Sequence, residues 1–198
     1  DKKVFSRMQP IERLPLPGEL VVALSQHLGS PAKALKAKGD TVVKGEKIGE
    51  ASGFISADVH APVSGVVKEI RRVTLANSIV CDAVVITPDS EQPESEEPSI
   101  DWRTLSDTEL IATIKEMGIV GMGGATFPAH VKLTIPRDKK IDAFVINGVE
   151  SEPYLTADYR VMMEWADEAL QGALICAKAT RAPRVIVGVE LNKKDAIA

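Results

Sequence analysis

Two short segments carry groups suited to holding a ligand. The first, "GIVGMGGATFPAHVKL" at residues 118–133, has four glycines in its first seven positions and then Phe127, Pro128 and Lys132. Glycines lack a Cβ, so backbone N–H groups at Gly121, Gly123 and Gly124 can approach a flat ring or a phosphate closely. Pro128 suits a first helical position, which would aim the next N–H groups at an anion, and Lys132 adds a point charge within about a turn. The glycines alone read equally well as a tight connection. Gly121 and Gly123 are followed by Thr126 rather than a third glycine, and no G-K-[ST] ending follows. The stretch is therefore neither a standard dinucleotide fingerprint nor a P-loop.

The second segment, "NGVESEPYLTADYR" at residues 147–160, follows an apolar run that predicts a strand. Asn147 offers amide donors and an acceptor. Glu150 and Glu152 stand two apart, so an extended backbone would point both carboxylates to one side. An amide and two carboxylates at a strand end suit a ribityl chain, a ribose or a carboxamide, and the alternative is an exposed acidic turn before a helix.

The elements that must position these groups fall into two halves. The first is rich in β-branched residues broken by turns: "KGDTVVKGEKIGEA" (38–51), "VHAPVSGVVKEI" (59–70) and "SIVCDAVVITP" (78–88) predict short strands of an all-β barrel or sandwich. "DSEQPESEEPS" (89–99) holds five carboxylates and no large apolar side chain, so it predicts a linker or exposed loop. After it the period changes. Ser106 and Glu109 form a capping-box signature, Leu110, Ile111, Ile114 and Met117 recur at helical spacing, and Gly118 supplies the stop. "IDAFVING", a long helix from an N-cap at Thr156, and "PRVIVGVE" predict a parallel βαβ unit, and "LNKKDAIA" opens a further helix. The expected boundaries are 1–88, 89–99 and 100–198.

Composition narrows the function. With a net charge of −4, the chain lacks the basic balance of a nucleic-acid binder. The pairs Lys139-Lys140 and Lys193-Lys194 read as solvated surface. Cys81 and Cys176 are the only cysteines. They make no C-x-x-C pair, so they predict small apolar packing residues in a reducing compartment and no local metal site. No signal peptide and no apolar run of membrane-spanning length occurs.

The pattern K-x-G-D-x-V-x-x-G-x-x-I followed by A-P-V-S-G-x-V resembles the barrel-sandwich hybrid fold of biotinyl and lipoyl domains. Its hairpin-tip equivalent, "SGFISADVH", has no lysine to carry a covalent cofactor. "GMGGATFPAHVKL" with "INGVESEPYLTADYR" closely resembles the RnfC subunit of Rnf electron transport complexes, and the first half is similar to that family's amino-terminal hybrid domain. RnfC is in turn related to the NADH-binding flavoprotein subunit of complex I.

The resemblance implies an amino-terminal hybrid domain followed by an incomplete α/β FMN-binding domain. It implies non-covalent FMN lined by the backbone of Gly121, Gly123, Gly124 and Ala125. Lys132 would reach the phosphate or ribityl end, Asn147 would bind the flavin, and Phe127 would stack on the dinucleotide. Glu150 and Glu152 would face flavin and nicotinamide, with hydride passing between NAD(H) and FMN. Met122, Thr126 and Val149 depart from the complex I pattern, which has arginine, glycine and aspartate there. The implied setting is the cytoplasmic side of the bacterial inner membrane, as a peripheral subunit without a transmembrane segment, among other Rnf subunits, with ferredoxin and NAD(H) as partners. Two 4Fe-4S clusters of the family lie on cysteine runs absent from residues 1–198, so the chain reads as an amino-terminal fragment. The alternatives are a redox relative such as NqrA or a cobalamin reductase, or a docking subunit that lost its flavin.

Overall fold

The computed structural model describes residues 2–93, 100–122 and 124–197. Most of the segment expected to link the halves, residues 94–99, lies outside them. Two compact units form, Pro15–Thr134 and Asp1–Leu14 with Ile135–Ala198. This division differs from the one expected at residues 89–99 in two ways. Residues 100–134 cluster with the β-rich half, and the first residues cluster with the last third of the chain.

The unit Pro15–Thr134 is built on two antiparallel sheets. Strands β1 (Leu20–Ala23), β3 (Thr41–Val42), β6 (Gly65–Thr74) and β7 (Val80–Pro88) form one in the order β1-β7-β6-β3. Strands β2 (Lys33–Ala34), β4 (Lys47–Glu50) and β5 (Val59–His60) form the other in the order β2-β4-β5. Val22, Leu24, Val42, Ile48, Val59, Val67, Val84 and Ile86 make one buried cluster drawn from both sheets. Burying each such side chain contributes roughly 1.5–3 kcal/mol. The long central β7 is buried over four successive residues, Ala83 to Ile86, as expected of a strand covered on both faces. Bulges interrupt β4 between Lys47 and Gly49 and β6 between Val67 and Glu69, and such kinks let short sheets curl around a core. Cys81 packs in this unit as a buried residue.

The start of the acidic segment is tied down. The Gln92 side chain accepts from the Ser64 N–H at 2.8 Å and donates to the Ser64 carbonyl at 2.9 Å.

Helix α1 (Asp107–Glu116) begins with the predicted capping box: the Ser106 hydroxyl accepts from the Glu109 N–H, and the Glu109 carboxylate accepts from the Ser106 N–H. Leu110 and Ile114 are its buried residues. Replacing Ser106 with alanine should cost this unit about 1 kcal/mol, read as a shift in urea midpoint at constant slope. Helix α2 (Ala129–Leu133) is a single short turn or so after Pro128.

In the other unit, β8 (Phe144–Gly148) and β9 (Val185–Val189) pair in parallel, Phe144 opposite Val185 through Gly148 opposite Val189. Between them lie α3 (Ala157–Glu164) and α4 (Ala166–Thr180), and α5 (Lys194–Ile197) follows β9. The predicted βαβ unit is present, but its long helix is broken at Trp165, which leaves the helical region at φ −132°, ψ 41°. Cys176 is half-buried on α4, and burial pushes its thiol pKa up.

Candidate functional site

The glycine loop is a closed lobe pinned at its neck. Val120 and Pro128 form an antiparallel bridge, the Gly121 N–H donates to the Phe127 carbonyl at 2.9 Å, and the Ala129 N–H donates to the Ile119 carbonyl at 2.9 Å. Above the neck the backbone is open: Gly121, Met122, Gly124 and Ala125 are exposed, and Phe127 is half-buried. Gly124 sits at φ 139°, where a side chain is strained, although a Cβ there would meet nothing within 4 Å. Gly123 lies outside the described residues. Lys132 is exposed on α2.

The loop's root is fixed to the barrel. Gly118 takes φ 64°, and a Cβ on it would run into the Asp58 carbonyl and stand 3.1 Å from His60 Nδ1. Asp58 is itself held by Lys47 Nζ at 2.6 Å and by the Ala51 N–H at 2.8 Å. His130 on α2 is buried, and its Nδ1 has no hydrogen-bond partner among the described residues. Burial, with Lys115 nearby, holds the His130 pKa below the usual histidine range, while the Asp58 charge opposes. A depressed folded pKa means the unfolded chain binds the proton first. Stability from neutral His130 is therefore complete above about pH 6.5 and falls as the pH drops below it. Urea midpoints at pH 7.5 and 5.5 should differ less in His130→Phe than in the unaltered protein.

The acidic turn belongs to the second unit. Asn147 is exposed at the carboxyl end of β8, and its Oδ1 accepts from the Val149 N–H at 3.1 Å. Gly148 is buried behind it: a Cβ there would meet the Gly188 carbonyl at 3.0 Å and Met162 Sδ at 3.2 Å.

The two glutamates part company, which corrects the expectation that they share a side. A turn follows directly after them, with the Leu155 N–H donating to the Glu152 carbonyl at 3.3 Å. Glu152 is left exposed and Glu150 is 2% exposed. Glu150 Oε1 accepts from the N–H groups of Asp158 at 2.7 Å and Tyr159 at 3.1 Å, so Glu150 caps α3. The expected cap, Thr156, makes no cap bond; its hydroxyl donates to Ser6 Oγ at 2.8 Å.

Glu150 is also the centre of a buried ion cluster. Its Oε2 lies 2.9 Å from Lys193 Nζ and 3.5 Å from Lys3 Nζ, and Lys193 Nζ lies 3.3 Å from Glu190. Lys193 is 3% exposed and Lys3 is 5% exposed. Lys193 is thus interior and ion-paired, not the solvated residue that its pairing with Lys194 predicted. Burial alone would raise the Glu150 pKa, but Lys193 and the α3 N–H groups outweigh it and hold the carboxyl below its ordinary range.

Two family profiles match this chain. That of the RnfC barrel sandwich hybrid domain matches residues 1–91, and that of the Nuo51 FMN-binding domain matches residues 114–198, a span that includes both the glycine loop and the acidic turn. The chain joins an RnfC hybrid domain to a Nuo51-type FMN-binding domain. Its homologues include the C subunit of the proton-translocating ferredoxin:NAD(+) oxidoreductase complex of Clostridium ljungdahlii, 43% identical over 100% of this chain and 44% of the relative. The C subunit of the Na(+)-translocating ferredoxin:NAD(+) oxidoreductase complex of Acetobacterium woodii is 44% identical over 91% of this chain and 41% of the relative. The C subunit of an ion-translocating oxidoreductase complex of Pectobacterium carotovorum is 37% identical over 100% of this chain and 27% of the relative. The chain spans less than half the length of these relatives.

Residues of this RnfC homologue can be sorted on these grounds. The exposed loop backbone, the Asn147 amide and the Glu152 carboxylate are groups that a flavin mononucleotide could use: N–H donors toward its ring or phosphate and polar partners for its ribityl chain. Taken one by one, these groups suit the chemistry of the group that the family profile names. Among the described residues no cluster of His, Cys, Asp or Glu could hold a metal, and no helix is long and apolar enough to cross a membrane.

Proposed function

We propose that this chain is the flavin-holding part of a peripheral RnfC-type subunit, working on the cytoplasmic side of a bacterial membrane in an ion-translocating complex that exchanges electrons between NAD(H) and ferredoxin. The observation that carries the reading is the pair of exposed elements, an open glycine loop and an amide–carboxylate turn at a parallel strand end, within the span matched by an FMN-binding profile. FMN, when bound, supplies the exchange between two-electron and one-electron carriers.

The chain's own residues bind and orient. The backbone of Gly121, Gly123, Gly124 and Ala125 lines the flavin, although the Gly121 N–H is already given to the Phe127 carbonyl at the neck; Phe127 stacks on the dinucleotide, and Lys132 meets the phosphate or ribityl end. Asn147 hydrogen-bonds the flavin, and Glu152 faces the nicotinamide. Glu150 works from beneath the turn, holding it in shape, in place of the direct contact expected from sequence. The 4Fe-4S clusters of the reading lie outside residues 1–198.

Glu152→Ala should weaken NADH-dependent flavin reduction more than FMN affinity, by about tenfold or more in the half-saturating NADH concentration. Stopped-flow reduction beside an FMN titration separates the two. Equal losses in both would remove Glu152 from nicotinamide recognition.

A further inference from the structure

The first residues of the chain fall within the RnfC hybrid-domain profile, yet they cluster with Ile135–Ala198. Their bonds converge on the acidic turn and the helix after it. Lys3 Nζ donates to the Glu150 carbonyl at 2.6 Å, and the Ser6 hydroxyl reaches the Tyr154 carbonyl at 3.5 Å while accepting from Thr156. The rings of Phe5 and Tyr154 stack with centroids 6.4 Å apart. Arg160 donates to the Arg7 carbonyl at 3.2 Å, and the Ile11 N–H donates to the Glu164 carboxylate at 3.0 Å. Lys3 is the deepest of these anchors, with its side chain 6% exposed beside a Glu150 side chain that is 0% exposed.

We propose that residues 3–11 are a strap that positions the acidic turn, with Lys3 as the positioning residue through which the turn presents Asn147 and Glu152. This rests on the flavin reading for the ligand and on the geometry alone for the strap. An exposed turn of this composition would sample many conformations unless held. Lys3 holds it by a charge-assisted bond to the backbone carbonyl at position 150 and by charge on the carboxylate that caps α3. Fixing the turn beforehand removes ordering entropy from ligand binding. The strap thereby makes the first residues matched by one profile a support for the turn matched by the other.

The test uses the full-length protein with Lys3→Met, Lys3→Arg and the milder Ser6→Ala, which loses only hydroxyl bonds. Hydrogen exchange in the flavin-free protein reads residues 149–160. Lys3→Met should speed exchange there about tenfold and leave residues 20–90 unchanged. FMN titration, followed by flavin fluorescence, should show affinity weakened about fivefold or more. Lys3→Arg, which keeps the charge and the donors, should restore both, and Ser6→Ala should shift both in the same direction by less. Unchanged exchange at 149–160 in both Lys3→Met and Ser6→Ala would overturn the strap. Faster exchange with unaltered FMN affinity would overturn positioning and leave Lys3 a stability residue. If the unaltered protein takes up no FMN, the flavin reading fails, and the exchange arm still decides the strap.

Discussion

Glu150→Ala is expected to lower the stability of the unit containing β8 and β9 by about 3–5 kcal/mol, because removing one member of a buried ion pair strands the other charge. Lys193 would keep Glu190 but lose its nearest carboxylate, Lys3 would lose its ion-pair partner, and the N–H groups of Asp158 and Tyr159 would lose their acceptor. Glu152→Ala, two residues away but exposed, should change stability by no more than about 0.5 kcal/mol. The pH dependence follows from the same cluster. The folded-state pKa of Glu150 is lowered, so the unfolded chain takes up the proton first. Its stabilisation is complete above the unfolded carboxyl value of about 4.3 and is lost as the pH falls through the lowered folded value. Urea titrations of both variants at pH 7 and pH 4 check each part. Equal, small effects for Glu150 and Glu152 would mean that the cluster does not hold the turn.

Gly118→Ala is the second large effect, expected to cost about 2–4 kcal/mol. A left-handed backbone costs a non-glycine residue roughly 1–2 kcal/mol, and forcing a methyl into a packed position adds roughly 1–3 kcal/mol. Both apply here, since Gly118 sits at φ 64° and its Cβ would collide with the Asp58 carbonyl. Relief requires moving either the β5 approach or the root of the glycine loop, so FMN affinity should fall along with the urea midpoint. A Gly118→Ala protein as stable as the unaltered one would show that the loop root is free to shift.

Much of this was readable in the residues because the governing interactions are local. The capping box at Ser106 and Glu109, the strands separated by glycine turns, and the βαβ order all depend on neighbours a few positions apart. The glycine loop and acidic turn could be picked out by composition, since bare backbone beside exposed polar groups has a short-range signature. What sequence reasoning missed was set at long range. Nothing near Lys3 signals that it bonds the carbonyl of a residue 147 positions away. Nothing in the pair Lys193-Lys194 tells which lysine is interior. Glu150 and Glu152 read as equivalent because their spacing does not show that one of them caps α3 and meets two buried lysines. The cap on α3 was assigned to Thr156 by proximity, whereas a carboxylate eight residues before Asp158 supplies it.

Non-covalent retention of FMN is the property on which the proposed function stands or falls. It is tested most directly by purifying the full-length protein without oxygen, adding FMN, removing the excess, and identifying the flavin released by acid. About one FMN per chain, released intact into the acid supernatant, is the predicted result. A folded protein that retains no flavin would contradict it and favour a docking role, and flavin left on the acid pellet would contradict the non-covalent site.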